Sequence, residues 1–111
     1  NLFFTTIAIA KNKRSSYHLY PILLDRSLWC SKEDIFKALH AKGLGVQVHY
    51  KPVYQYTYYK NLFGEQNLPV AEEFYKAELS IPCHQGMSMD DALFVADTLF
   101  EVLESIKGCR R

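Results

Sequence analysis

Two histidines stand beside tyrosines in strand-like sequence, as the pairs Tyr17-His18 and His49-Tyr50. An imidazole next to a phenol at the end of a strand can hold a phosphate oxygen or the edge of an aromatic ring. The alternative is that each histidine is structural and makes its hydrogen bonds within its own domain. The residue types alone leave both interpretations open.

A tyrosine-rich segment follows His49, since five of the eight tyrosines lie between positions 50 and 59. Each tyrosine has an apolar ring and a polar tip that seeks a partner. Loops that follow strand ends are also where many proteins carry their binding groups. The segment is therefore either a binding surface or part of a domain or subunit interface.

The remaining residues form no recognisable catalytic or metal site. The histidines lack HxxxH and HxH spacing, and Cys83-His84 has no second pair to complete a metal site. No serine lies in a GxSxG turn, and no glycine-rich loop precedes a helix. Cys30, Cys83 and Cys109 are an odd number of cysteines, so we expect free thiols in a reducing cytoplasm.

Length and charge narrow the class of protein. The 111 residues make a single domain, 1–111, and its net charge of +1 gives no field that would attract nucleic acid or a membrane. No apolar run reaches the roughly 20 residues that cross a bilayer, and no signal-peptide pattern is present. The chain begins without Met, directly in strand-like sequence, so we expect it to be part of a longer protein.

Strand patterns cover residues 3–10, 17–24 and 46–50, and a short fourth strand is predicted over 79–81. Pro21 indicates an edge position or a bulge, because proline removes a donor from the ladder. A short helical turn is predicted at 55–62. Helices are predicted over 70–78, with Pro69 at the first position, and over 89–107, with Ser88 as the cap.

Another helix is predicted to begin with a Ser31–Asp34 capping box and to end at Gly43. His40, near its end, is interpreted as structural. The last helix has the widest apolar stripe and should be the main core element. Leu99 belongs to this stripe and should be buried. The order of elements predicts an α+β fold, a small and mostly antiparallel sheet with helices packed on one face.

Four sequence blocks, in order, resemble the C-terminal small domain of the DegT/DnrJ/StrS family of sugar aminotransferases. They are SYHLYPILL at 16–24, GLGVQVHYKPV at 43–53, LPVAE at 68–72 and LSIP at 79–82. The first block and Val53-Tyr54-Gln55 resemble the branch on the route to pseudaminic acid, an amino sugar of surface glycans and glycosylated flagellin. The segment Cys83-His84-Gln85-Gly86 departs from the family pattern.

The resemblance implies a fold-type I, pyridoxal-phosphate (PLP)-dependent transaminase of a nucleotide-linked 4-keto-6-deoxy sugar, with glutamate as amino donor. It also implies partners: a large N-terminal domain, which carries the cofactor lysine, and a second subunit in a homodimer. No lysine here stands in the cofactor motif. We therefore expect the chain alone to bind no PLP and to be inactive, with no catalytic residue of its own.

Within the intact cytoplasmic enzyme, the resemblance implies that this domain contributes to the substrate mouth. The predicted substrate-binding residues are His18, Tyr20, His49, Tyr50 and Tyr56. The alternative function is a free-standing α+β binding or scaffolding module with an exposed aromatic-rich face. An RNA-binding version of that module is disfavoured, because the sequence has no basic stripe and no RNP-like motif.

Overall fold

The computed structural model of the chain describes residues 3–106. The three strands and four α-helices of this part follow in chain order. They are β1 Phe4–Thr6, β2 Tyr20–Leu24, α1 Lys32–Ala41, α2 Thr57–Phe63, α3 Pro69–Ala77, β3 Glu78–Ile81 and α4 Met89–Ser105. Two short 3-10 turns, Arg26–Ser31 and Val53–Gln55, precede α1 and α2. The α+β fold is confirmed, and α2, α3 and α4 lie within about two residues of their predicted positions.

The three strands form one antiparallel sheet with the order β1-β2-β3. Thr6 pairs with Ile22 at the end of β1, and Ile22 pairs with Leu79 of β3. β1 and β2 are shorter than the predicted runs 3–10 and 17–24 because pairing partners, and not strand propensity, set where a strand ends. The predicted short strand at 79–81 is confirmed as β3, one residue longer.

Pro21 lies in the central strand of this sheet, so the prediction of an edge strand is wrong for β2 as a whole. Pro21 stands opposite Ser80, whose backbone N–H and C=O both bond to Gln47. The polar groups of Pro21 therefore face away from β3, toward the side where β1 has already ended at Thr6. Proline is tolerated at this point because the missing donor has no partner strand to reach.

The predicted strand at 46–50 is not a strand, and this is the main error of the sequence analysis on the fold. Only Gln47 pairs with the sheet, through an isolated antiparallel bridge to Ser80. Continuing that register by two residues would pair His49 with Glu78. The backbone N–H of Glu78 already donates to Phe74 O as the C-cap of α3, so the ladder cannot continue.

Helix α4 begins with a capping box, although the residue at its third position is aspartate instead of the usual glutamate. The Asp91 N–H donates to Ser88 Oγ at 3.1 Å, and the Ser88 N–H donates to Asp91 Oδ2 at 2.8 Å. The Ser88 hydroxyl also donates to Asp91 Oδ2, and the hydrogen bonds that this carboxylate accepts from the backbone and the hydroxyl of Ser88 lower the pKa of Asp91. The predicted end at 107 lies outside the described residues, as does the predicted frayed tail at 108–111.

Helix α1 starts differently from the prediction. Ser31 makes no side-chain cap hydrogen bond, because the 3-10 turn Arg26–Ser31 leads directly into the helix and leaves Ser31 near helical geometry. The predicted capping box with Asp34 is therefore wrong. Gly43, with φ of +82°, ends the helix in the left-handed conformation that the sequence predicts.

Helices α1 and α4 pack on one face of the sheet. The core they share with the sheet is aliphatic and is formed by Ile22, Leu24, Leu28, Ile35, Leu39, Leu44, Val46, Leu79, Val95, Leu99, Val102 and Leu103. None of the aromatic side chains between residues 3 and 106 is fully buried. The core therefore leaves the aromatic residues at its rim and on the surface.

The cysteines differ from the expectation of three free thiols. Cys83 is free and half-buried, whereas Cys30 is disulfide-bonded, so the prediction is wrong for Cys30. Cys109 lies outside the described residues. No helix of the described part is long and apolar enough to cross a membrane.

Candidate functional site

The segment that carries His49 leaves the sheet at a defined point. Gln47 exchanges two backbone hydrogen bonds with Ser80, at 2.8 and 3.1 Å. Two residues later the His49 N–H donates to the side-chain Oε2 of Glu78 at 2.8 Å. A carboxylate thus holds the backbone where a strand partner would otherwise be, immediately before the tyrosine-rich segment begins.

The carboxylate of Glu78 is almost completely buried, with 1% of the residue exposed. Its second oxygen, Oε1, accepts a 2.6 Å hydrogen bond from the Ser80 hydroxyl. Burial lowers the pKa of Lys32, and the attraction of Glu78 offsets part of that effect. The Lys32 ammonium donates to the backbone carbonyl of Tyr75 at 2.5 Å. Glu78 is therefore a buried, hydrogen-bonded anion with a cation nearby.

The His49 side chain has a different environment from its backbone. Its Nδ1 is buried and has no hydrogen-bond partner among the described residues. Nδ1 is therefore an unsatisfied buried polar atom, whether it carries the ring proton or not. The ring also meets the Tyr50 ring edge-on, with centroids 4.6 Å apart. The peptide bond between these two residues is cis.

The tyrosines after His49 are mostly exposed. Tyr50 is 70% and Tyr56 48% exposed, and the Lys51 ammonium lies 5.1 Å from the centroid of the Tyr56 ring. Tyr50 and Tyr54 line an open, largely apolar hollow of about 720 Å³ between the 3-10 turn Val53–Gln55 and the start of α3. This surface offers aromatic faces and one cation to a ligand or to another part of a protein.

His18 and Tyr20 lie elsewhere. Both are exposed and line a separate hollow of about 590 Å³. Tyr20 pairs with Ile81, at the opposite end of β3 from Glu78 and His49. Three residue steps of a strand, roughly 10 Å, separate these ends, and β3 stands between the two sets. The five predicted substrate-binding residues therefore form two groups, with His49, Tyr50 and Tyr56 in the first and His18 and Tyr20 in the second.

Comparison with known proteins identifies the family. The model of the DegT/DnrJ/EryC1/StrS aminotransferase family matches residues 2–100. The chain belongs to this family.

Two of its relatives are transaminases of a nucleotide sugar. The UDP-4-amino-4,6-dideoxy-N-acetyl-beta-L-altrosamine transaminase of Campylobacter jejuni is 57% identical over 107 residues. The enzyme of the same name from Helicobacter pylori is 40% identical over 107 residues. In both cases the match covers 96% of this chain but 28% of the relative. The chain thus spans less than a third of the length of these aminotransferases.

Solved structures of the family have the same fold. Helicobacter pylori PseC, an aminotransferase involved in the biosynthesis of pseudaminic acid, superposes with a TM-score of 0.91 at 40% identity. That match covers 96% of this chain and 29% of PseC. Streptococcus pneumoniae Spr1654 in its PLP form gives a TM-score of 0.82 at 30% identity, over 91% of this chain and 26% of that one.

The family uses PLP, and the described residues do not by themselves fit that cofactor. Lys32 is held by the Tyr75 carbonyl, and Lys37, Lys42 and Lys60 are paired with glutamates. Lys51 lies over the Tyr56 ring. Each of these five ammonium groups already has a partner within the described residues, and none of the five lysines stands in the cofactor motif of the family. This part of the chain also contains no cluster of three His, Cys, Asp or Glu side chains that could hold a metal.

Glu78 is the residue that the sequence analysis missed, because the pattern placed it as the last residue of a helix over 70–78. The structure makes it the first residue of β3, where it shares a face with Ser80. The alternation Glu78-Leu79-Ser80-Ile81 was the available signal. Two polar residues at strand spacing, next to an apolar pair, indicate a face on which a buried polar contact can form.

His40 behaves as the sequence predicts. Its Nε2 lies 2.8 Å from the Val46 carbonyl oxygen, and its ring stacks on Phe36. This histidine therefore connects the end of α1 to the segment that leads to Gln47. It is a structural residue and provides a natural contrast to His49.

Proposed function

We propose that this chain is the C-terminal small domain of a PLP-dependent aminotransferase that acts on a nucleotide-linked 4-keto-6-deoxy sugar. The observation that carries the proposal is 57% identity, over 96% of the chain, to a transaminase of UDP-4-amino-4,6-dideoxy-N-acetyl-beta-L-altrosamine. In this proposal the product serves the synthesis of amino sugars such as pseudaminic acid. The amino donor is glutamate.

The partners in this proposal are a large N-terminal domain of the same polypeptide and a second subunit in a homodimer, in the cytoplasm. PLP, held by that large domain, supplies the electron sink for the transfer of the amino group. The residues of this chain would bind and orient the nucleotide sugar. The coverage of 28% of the relatives supports a parent with additional structure.

His49, Tyr50 and Tyr56 would form the main contact of this domain with the substrate. A neutral imidazole at His49 can donate to, or accept from, a sugar hydroxyl. The exposed faces of Tyr50 and Tyr56 suit a sugar or uracil ring. The fixed backbone at His49, bonded to the buried Glu78, supports this assignment because a binding group must be held in place.

His18 and Tyr20 would form a second contact, separate from the first. A nucleotide-linked sugar has a sugar part and a nucleotide part, so two sets of residues can serve different portions of one substrate. The separation of the two sets by β3 supports a division of this kind instead of a single cluster.

The test is steady-state kinetics on the full-length enzyme that contains this chain. We expect His49→Asn to raise KM for the nucleotide sugar, or to lower kcat/KM, about tenfold or more, which is about 1.4 kcal/mol. The thermal midpoint should change little, because the buried Nδ1 of His49 has no hydrogen-bond partner among the described residues that the substitution would remove.

His40→Asn is the matched control, since His40 bonds the Val46 carbonyl and has no place in the proposed mouth. It should lower the thermal midpoint and leave KM for the nucleotide sugar unchanged. If His49→Asn instead lowers stability and keeps kcat/KM, His49 is a structural residue and the site assignment is wrong.

A second test concerns the cofactor and uses the 111-residue chain. Because no lysine of the sequence stands in the cofactor motif, and Lys32, Lys37, Lys42, Lys51 and Lys60 already contact other groups, we expect no stoichiometric absorbance at roughly 330–430 nm after incubation with PLP and dialysis. Borohydride reduction followed by peptide mapping provides an independent readout. Stoichiometric labelling of one lysine would contradict the proposal that the cofactor belongs to another domain.

A further inference from the structure

Glu78 combines three properties that a purely structural residue seldom has together. It is a charged side chain with 1% exposure, and both of its carboxylate oxygens accept hydrogen bonds. One of these hydrogen bonds reaches across 29 positions of sequence to the backbone of His49. Buried carboxylates are costly unless they are paired and hydrogen-bonded, so the position is a demanding one for a glutamate.

The hydrogen bond between the His49 N–H and the Glu78 side chain lies where the backbone pairing with β3 ends. The Glu78 N–H bonds to Phe74 O, so the backbone of Glu78 cannot form the two-way pair with His49 that the register would require. The side chain of the same residue turns to the His49 N–H and replaces the missing bond. The backbone of His49 is therefore held at the sheet by a side-chain hydrogen bond in place of strand pairing, next to Val48, which packs against the core.

We propose that Glu78 is a positioning residue for the substrate mouth, because its buried carboxylate fixes the backbone of His49 and, through the contact of the His49 and Tyr50 rings, the start of the tyrosine-rich segment. The inference rests on the proposed function for its catalytic consequence. The positioning itself is a property of this chain and can be measured without the reaction.

The surroundings of Glu78 explain how the charge is accommodated. The Ser80 hydroxyl occupies one oxygen, and the attraction of Glu78 acts to raise the pKa of Lys32 against the larger effect of burial. Ser80 itself belongs to the bridge with Gln47. The carboxylate thus connects the last backbone pair of the sheet to His49, two residues beyond Gln47.

Amide hydrogen exchange on the 111-residue chain tests the positioning directly. In the unsubstituted protein the His49 amide should exchange about as slowly as the Gln47 amide, although it lies beyond the last backbone pair. If the His49 amide exchanges like that of an unbonded loop residue, the proposal is overturned before any variant is made.

Two variants of Glu78 then distinguish the effect of its hydrogen-bond acceptor from the effect of its side-chain size. Glu78→Met has a similar length and no acceptor, so it should lower the protection of the His49 amide at least about tenfold while the Gln47 amide stays protected. Glu78→Gln keeps one acceptor oxygen and should restore most of that protection. Equal protection of His49 in all three proteins would show that Glu78 does not fix this segment.

Ser80→Ala is the matched control within the same network. It removes the hydrogen bond to Oε1 but leaves Oε2 for the His49 N–H. We expect the His49 amide to remain protected in this variant. Loss of His49 protection in Ser80→Ala that equals the loss in Glu78→Met would assign the effect to the general packing of β3 and overturn the specific role of the carboxylate.

Kinetics on the full-length parent tests the consequence for function. Glu78→Met should raise KM for the nucleotide sugar about tenfold, leave the half-reaction with glutamate unchanged and be rescued by Glu78→Gln. An equal loss in both half-reactions would overturn the role in substrate positioning. An unsubstituted parent without transaminase activity would overturn the proposed function, whereas the exchange experiment alone decides whether Glu78 positions His49.

Discussion

The chain has two apolar regions that are built differently. The fully buried core between the sheet, α1 and α4 is aliphatic, and Leu99 and Leu103 are 2% and 1% exposed. The region from Tyr50 to the end of α2 is rich in aromatic residues, yet Tyr50, Tyr58 and Phe63 are 70%, 69% and 66% exposed. Helix α2 buries none of its residues.

This difference distinguishes the residues that stabilise the fold from the residues that the domain exposes on its surface. The aliphatic core is buried within the chain, because α1 and the apolar stripe of α4 pack on the same face of the sheet. The aromatic region obtains little burial from this chain, so its side chains contribute little to folding. Our proposal for the substrate mouth uses this second region, whose rings are held at one end by the backbone of His49.

The largest effect in this comparison should come from the core. Leu99→Ala should lower the free energy of unfolding by about 2–5 kcal/mol, the range for removal of a buried leucine side chain. Urea denaturation monitored by circular dichroism measures the change. Leu93→Ala is the matched control in the same helix, since Leu93 is 53% exposed, and it should cost less than about 0.5 kcal/mol. Similar losses for both variants would contradict the packing of α4.

A smaller effect should come from the start of the same helix. Ser88→Ala removes the hydroxyl that accepts from the Asp91 N–H and should cost about 1 kcal/mol. Ser88→Thr keeps a hydroxyl at the cap and should retain most of the stability. The midpoint of urea unfolding distinguishes them, and an unchanged midpoint in Ser88→Ala would mean that the capping box contributes nothing to the stability of α4.

The smallest effect should come from the aromatic region. Tyr58→Ala should change the free energy of unfolding of the 111-residue chain by less than about 0.5 kcal/mol, because Tyr58 is 69% exposed on a helix without buried residues. The same urea experiment provides the value. A loss above about 1 kcal/mol would mean that this region takes part in the core and would remove the contrast between the two regions.

The elements with strong local signals were the predictable part of the fold. Helices α3 and α4 follow from Pro69, Ser88 and the apolar period of 89–107. The strand at 46–50 was predicted from its residue types and is wrong, because the backbone of Glu78 is committed to α3. Strand propensity describes a residue's preference but contains no information on whether a partner backbone is available.

The site was predictable only as a set of residue types. Tyrosines and histidines at the ends of apolar runs indicate binding chemistry, and the family resemblance pointed to a substrate mouth. The division of these residues into two groups depends on the order of the strands, with β3 between them. Glu78 was missed because a helix over 70–78 placed it at a helix end, where a glutamate is normally solvated.

Pro21 has a consequence for how the protein behaves at high concentration. Beyond Thr6 no strand of the described part pairs with β2 on that side, and open strand edges recruit other chains into aggregates. Pro21 is the residue whose backbone faces this gap, and it has no N–H to offer to an incoming strand. The proline thus disfavours edge-to-edge association of this aromatic-rich chain at the point where the pairing of β1 with β2 ends.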